Sequence, residues 1–223
     1  MVRKIISLVL KFIIVISAAV GVTMYVTESS AYLLYFTLQS NIWIAATCVV
    51  GIVLALFRRP IAQWMYSTKL VFTVSITLTG VVYCTMLAPI LGAEAYNLPS
   101  VLLHVVTPIA SIADFFVYDT VATYRKWECL TVTIPPWYYL AFAGVGYALN
   151  WEFDYGGVNY PYFFLNWGSP AGAFGFSSEV PYMGVVYYVL ILLAFVIGIG
   201  ALYIWLAKLA NRKLSANKKQ VRS

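Results

Sequence analysis

The sequence predicts an all-α fold, a polytopic integral membrane bundle of six transmembrane helices. Three observations predict it. The chain is 62% hydrophobic and only 10% charged over 223 residues, against roughly 25% charged in soluble domains. A lipid-facing surface explains that composition, whereas a soluble domain with so few charges would be sticky. Six segments, at about 5–26, 32–57, 67–91, 99–119, 134–150 and 181–206, are apolar for close to the roughly 20 residues that a spanning helix needs. All fourteen basic residues fall on one side of the resulting topology. A β-barrel would alternate polar and apolar residues along each strand, and these runs do not.

The elements follow in order as one membrane domain, residues 1–223. Arg3 and Lys4 precede the first apolar run, as in a secretory signal. The run continues to about Val26, which is long for a signal core, so it reads as a retained first span. Arg58, Arg59 and Lys69 flank the connection from span 2 to span 3, and Arg125 and Lys126 lie between spans 4 and 5. Span 6 is followed by a basic tail, 207–223, holding Lys208, Arg212, Lys213, Lys218, Lys219 and Arg222. With Lys11 in span 1, these positive residues make their side, and both termini, cytoplasmic. The opposite connections carry Glu28, Glu94, Glu152, Asp154 and Glu179 without Lys or Arg. The net charge of +6 therefore reads as topology rather than as nucleic-acid binding. The tail is either a solvated anchor or a site for anionic headgroups of membrane lipid. Compact loops and strict charge asymmetry suit a bacterial plasma membrane, with an endoplasmic reticulum membrane as the alternative.

The longest external loop, 151–180, is rich in aromatic residues, Gly and Pro. It reads either as an interfacial aromatic belt or as a lid over the bundle mouth. The halves of the chain are not visibly related, as an inverted-repeat transporter would ideally show. Cys48 and Cys84 lie in predicted spans and Cys129 in a loop, with neither a CxxC nor a Cys/His metal spacing. Neither a disulfide framework nor a zinc site is supported.

Polar residues inside a span are costly and often functional. Thr37, Ser40 and Asn41 share one face of span 2, and His104, Pro108 and Ser111 share one face of span 4. Both helices run inward from the external side. Thr37 and His104 each lie five residues past the predicted start of their span, about 7–8 Å below the outer boundary. At equal depth a Thr hydroxyl and an imidazole can meet across a bundle. A neutral His can take the proton of an otherwise weak Thr nucleophile. Asn41 is placed to donate a hydrogen bond to a developing oxyanion, and Ser40 to help position a substrate. The same residues can instead serve as helix glue, Thr bonding its own i−4 carbonyl and Asn or His joining helices. Asp114 lies ten residues beyond His104, about 15 Å deeper, and is a poor triad partner for it. It reads as a supporting buried acid bonded to Thr73 or Ser75, or as part of a proton or ion path. Glu94, Glu152 and Asp154 lie on the side from which a carboxylate could orient His104.

Three stretches carry a resemblance: YFTLQSN (Tyr35–Asn41), LLHVVTPIASIAD (Leu102–Asp114) and YPYFFLN (Tyr160–Asn166). In order and spacing they resemble the androgen-induced family of six-span membrane proteins and its bacterial relatives, over nearly the whole chain. Animal members of that family are threonine hydrolases of fatty acid esters of hydroxy fatty acids. The resemblance implies Thr37 as nucleophile and His104 as its histidine, with neither metal nor cofactor. The expected function is thus an intramembrane hydrolase acting on a lipid-like ester of the fatty-acyl class. The alternative is a transporter or binding protein for a small molecule or lipid, using the same polar cluster.

Overall fold

The computed structural model describes residues 2–153 and 157–220, with side chains as far as Arg212. Six principal helices account for the architecture. They are α1 (Val2–Glu28), α2 (Phe36–Leu56), α3 (Gln63–Val82), α4 (Leu98–Val117), α5 (Ile134–Ala148) and α6 (Val185–Gln220). Helix α3 runs on through a π-helical turn, Tyr83–Leu87, into Ala88–Leu91. Helix α4 is built from Leu98–Val101, a π-helical turn over Leu102–Val106, and Thr107–Val117. Extended pairing among the described residues is confined to an isolated bridge between Phe176 and Met183.

Helix α1 shows how sequence sets the packing. Ser7, Lys11, Ile14, Ala18 and Gly21 are buried at helical spacing, while Ile5, Val9, Phe12, Ile16 and Val20 are exposed. The buried stripe is small and polar, so helices approach closely along it. A Cβ at Gly21 would come within 2.6 Å of the Leu103 side chain. The exposed stripe is as apolar as any core, as a surface against lipid hydrocarbon must be. Helix α1 lies against α2 and α4, and α3 touches α2, α4, α5 and α6.

Five helical stretches are long and apolar enough to cross a membrane: Val2–Glu28, Phe36–Leu56, Gln63–Tyr96, Leu98–Val121 and Val185–Arg212. The segment expected at 134–150 differs. Its helix, Ile134–Ala148, has 15 residues, about 22 Å at ~1.5 Å per residue, short of a hydrocarbon core of about 30 Å. A separate helical turn, Glu128–Thr131, precedes it. A Cβ on Gly200 of α6 would meet Val132 at 2.9 Å and the Cys129 backbone at 3.6 Å. Cys129 therefore lies in a helical turn packed on α6, not in the loop the sequence suggested. Helix α6 continues through most of the expected basic tail, to Gln220. The side chains of Lys213, Lys218 and Lys219, and all of Arg222, lie outside the described residues.

Both ends of the described chain gather at one end of the bundle. Arg3 Nε donates to the Val117 carbonyl at 2.7 Å, and Asn211 Nδ2 to the Ala122 carbonyl at 3.2 Å. Gln63, at the start of α3, donates to the Thr123 carbonyl at 2.9 Å. This is the basic end. The connections at the other, acidic end carry Glu28, Glu94, Glu152 and Glu179.

Two residues counted among the flanking positive charges belong elsewhere. Lys11 and Lys69 are 7% and 4% exposed, and both ammonium groups converge on Asp114. Lys11 Nζ lies 2.9 and 2.8 Å from the two carboxylate oxygens, and Lys69 Nζ 2.7 Å from Oδ2. Ser7 Oγ donates to Asp114 Oδ1 at 2.6 Å, and Lys69 also contacts Cys48 Sγ at 3.0 Å. Asp114 thus pairs with Ser7, Lys11 and Lys69 rather than with Thr73 or Ser75. The cluster ties α1, α2, α3 and α4 together. Removing one partner from such a buried network typically costs about 3–5 kcal/mol, because a charge is left uncompensated.

Candidate functional site

Thr37 is the second residue of α2, just after the extended Tyr35 that begins the helix. His104 sits in the π turn of α4. Their side chains meet: Thr37 Oγ1 lies 3.2 Å from His104 Nε2. The other ring nitrogen, Nδ1, lies 2.9 Å from the Ser100 carbonyl oxygen. A carbonyl can only accept, so Nδ1 carries the hydrogen. In the neutral ring Nε2 then presents its lone pair to the Thr37 hydroxyl. The imidazole is held in the tautomer that a base for Thr37 requires. The position that Glu94, Glu152 or Asp154 was expected to fill is taken by the Ser100 carbonyl, and Asp154 lies outside the described residues.

Two π turns build this arrangement. In each, a backbone N–H bonds five residues back: Ala88 to the Tyr83 carbonyl, and Thr107 to the Leu102 carbonyl. Each turn stands just before a proline, Pro89 or Pro108, whose ring clashes with the carbonyl four residues earlier in a regular helix. Widening the helix relieves that clash and re-aims the side chains of the turn. Tyr83 and His104, one from each turn, stack with ring centroids 3.6 Å apart and planes 13° apart. The Tyr83 hydroxyl donates to the Ala95 carbonyl, which anchors the far side of the stack. Gly80 permits the contact between the helices, since a Cβ there would lie 2.9 Å from the His104 carbonyl oxygen.

The long loop supplies a residue that the sequence reading did not assign. The Thr37 backbone N–H donates to Tyr162 Oη at 3.3 Å, and Thr37 Oγ1 lies 3.5 Å from the same oxygen. Burial pushes the Tyr162 phenol up, with hydrogen bonds from Thr37 opposing the rise. It stays a neutral O–H donor at physiological pH. The motif YPYFFLN marked this stretch, but nothing in it separates Tyr162 from the neighbouring aromatic residues.

The other expected site residues are turned to structural work. Asn41 directs Nδ2 to the carbonyls of Thr37, at 2.8 Å, and Leu103, at 3.2 Å. Its donors are engaged in joining α2 to α4, which corrects the expectation that it faces an oxyanion. Ser40 Oγ donates to the Thr37 carbonyl at 3.0 Å and lies 2.8 Å from Thr79 Oγ1, joining α2 to α3. Ser111 Oγ bonds the Thr107 carbonyl of its own helix at 2.7 Å. Asp114 is held in the lysine cluster, away from Thr37 and His104.

Thr37 borders two cavities of opposite character. A vestibule of about 470 Å³ at the acidic end is lined by Tyr25, Glu28, Tyr35, Glu94, Thr37 and His104, among others. A crevice of about 80 Å³ is lined by Leu78, Trp137, Leu140, Phe164, Val189 and Leu192, among others. Thr37, Leu87 and Tyr162 line both. Neither cavity is lined by Lys11, Lys69 or Asp114. Comparison of the chain with protein-family profiles, curated proteins and solved structures finds no match.

Proposed function

We propose that this chain is a six-span membrane hydrolase of lipid esters, with Thr37 as nucleophile and His104 as general base. One observation carries the reading: the Thr37 hydroxyl lies 3.2 Å from an imidazole nitrogen whose partner nitrogen is fixed as a donor. Such a pair meets the geometric requirement for an activated hydroxyl. The resemblance of YFTLQSN, LLHVVTPIASIAD and YPYFFLN to a family of threonine hydrolases supports the same assignment.

In this mechanism Thr37 Oγ1 attacks the ester carbonyl carbon while His104 Nε2 takes the hydroxyl proton. The tetrahedral oxyanion collapses, the alkoxide leaves, and His104 returns the proton to it as the free alcohol. Water then attacks the acyl-threonine with His104 again as base. The carboxylic acid departs and the proton returns to Thr37 Oγ1. Tyr162 Oη, beside Thr37 Oγ1, donates to the oxyanion.

The sixth crossing in this reading is a broken helix. Glu128–Thr131 and Ile134–Ala148 together carry the chain from the basic end, near Arg125, to the acidic end, near Trp151. The basic end then faces the cytoplasm with both termini, and the acidic end faces the exterior of a bacterial plasma membrane.

Turnover tests the assignment. Purified protein in detergent is expected to release fatty acid from a long-chain acyl ester, and Thr37→Ala and His104→Ala are each expected to lower kcat by at least about 10³-fold. Thr37→Ser is expected to retain measurable turnover. Undiminished release by folded Thr37→Ala protein would overturn the assignment.

A further inference from the structure

The two cavities at Thr37 dictate which half of an ester lies where. The crevice between α3, α5 and α6 is apolar, and its rim residue Trp137 is 52% exposed among the lipid-facing side chains of α5. An acyl chain can slide into it from the hydrocarbon without crossing water. The vestibule is wider and more polar than the crevice, and it sits at the acidic end. Its charged lining residues are Glu28 and Glu94, and neither Lys nor Arg lines it. Along the sequence, no basic residue lies between Lys11 and Arg58, between Lys69 and Arg125, or between Lys126 and Lys208. Every connection at this end is therefore acidic or neutral. An anionic alcohol group held there would face the Glu28 and Glu94 carboxylates, with neither Lys nor Arg among the described lining residues, and like charges repel over a Debye length of about 8 Å.

Three tyrosine rings complete the vestibule lining. Tyr25 and Tyr32 have ring centroids 4.8 Å apart, and Tyr32 and Tyr35 5.9 Å apart. All three line the cavity beside Glu28. Tyrosine rings and a carboxylate lining one cavity suit a quaternary or other weakly hydrated cation.

We propose that the substrate is a long-chain acyl ester whose alcohol portion is cationic, with the acyl chain in the α3–α5–α6 crevice and the cationic alcohol in the Tyr25–Tyr32–Tyr35 vestibule. This rests on the hydrolase reading and narrows it. After acyl transfer the cationic alcohol leaves through the acidic mouth toward water, while the fatty acid leaves by the crevice into lipid.

The test compares three palmitoyl esters: of choline, of its uncharged carbon isostere 3,3-dimethylbutanol, and of anionic 4-hydroxybutanoate. The readout is palmitate released by wild-type protein above the Thr37→Ala background. The expected order of kcat/KM is cationic, then neutral, then anionic, with about tenfold or more between the extremes at low ionic strength. In the double variant Glu28→Gln/Glu94→Gln the ratio of cationic to anionic turnover is expected to fall by about tenfold. Thr37-dependent release with equal rates, or with the anionic ester preferred, would overturn this inference and leave the hydrolase reading standing. Absence of Thr37-dependent release from all three would remove both.

Discussion

At the scale of single residues, the site turns on what each hydrogen bond leaves available. The Ser100 carbonyl fixes the His104 tautomer, and Asn41 directs its donors to backbone carbonyls. Among the described residues, Tyr162 brings a hydroxyl to both the backbone and the side chain of Thr37. Tyr162→Phe removes that donor while keeping the ring and its stack on Phe164, whose planes are 3° apart. We expect kcat to fall roughly 100-fold with KM nearly unchanged, since the lost bond forms chiefly in the transition state. A rise in KM at constant kcat would assign Tyr162 to substrate binding instead. The sequence put Thr37 and His104 at equal depth, where they could meet, but the 3.2 Å contact itself is a property of the packing. The Tyr162 contact was not legible there, since the loop holds several tyrosines and no periodicity ranks them.

At the scale of elements, two π turns and one glycine set the geometry. Pro89 and Pro108 signal that α3 and α4 depart from regularity, but a proline does not say whether the helix will kink, break or widen. The sequence therefore placed His104 level with Thr37 without fixing where its ring points. Gly80 is the counterpart on α3, where the nearest atoms to an added Cβ are the His104 carbonyl oxygen and the Pro108 ring. Gly80→Ala forces a Cβ against the His104 carbonyl, which has no flexible side-chain end to yield. We expect a loss of at least about tenfold in kcat, as misplacement by a fraction of an ångström costs reactivity. The variant should still extract as a monodisperse, helical protein by circular dichroism. Unchanged turnover would show that the α3–α4 contact does not position the imidazole. Lys11 and Lys69 illustrate a different limit. As isolated letters near span ends they look like topology signals, and only packing reveals that Asp114 gathers them into a buried cluster.

At the scale of the whole molecule, the five long apolar helices and the short α5 make one bundle with a basic and an acidic end. Hydrophobic length read five of the spans well. The helix expected at 134–150 forms over Ile134–Ala148, but it is shorter than the other five, with a separate turn at Glu128–Thr131 before it. Six crossings require both ends of the chain on one side of the membrane. In a Cys84→Ser background, an impermeant maleimide added to intact cells should label Glu179→Cys. It should label Lys4→Cys and Arg212→Cys only after lysis. Labelling of Arg212→Cys but not Lys4→Cys in intact cells would mean an odd number of crossings.

The central claim is that His104 makes the Thr37 hydroxyl nucleophilic, and covalent capture tests it most directly. Detergent-purified protein is treated with a fluorophosphonate, and the adduct is located by peptide mass spectrometry. The account predicts one adduct on Thr37, lost in His104→Ala while the variant remains folded. A wild-type protein that stays unmodified, or an adduct that survives Thr37→Ala, would contradict it.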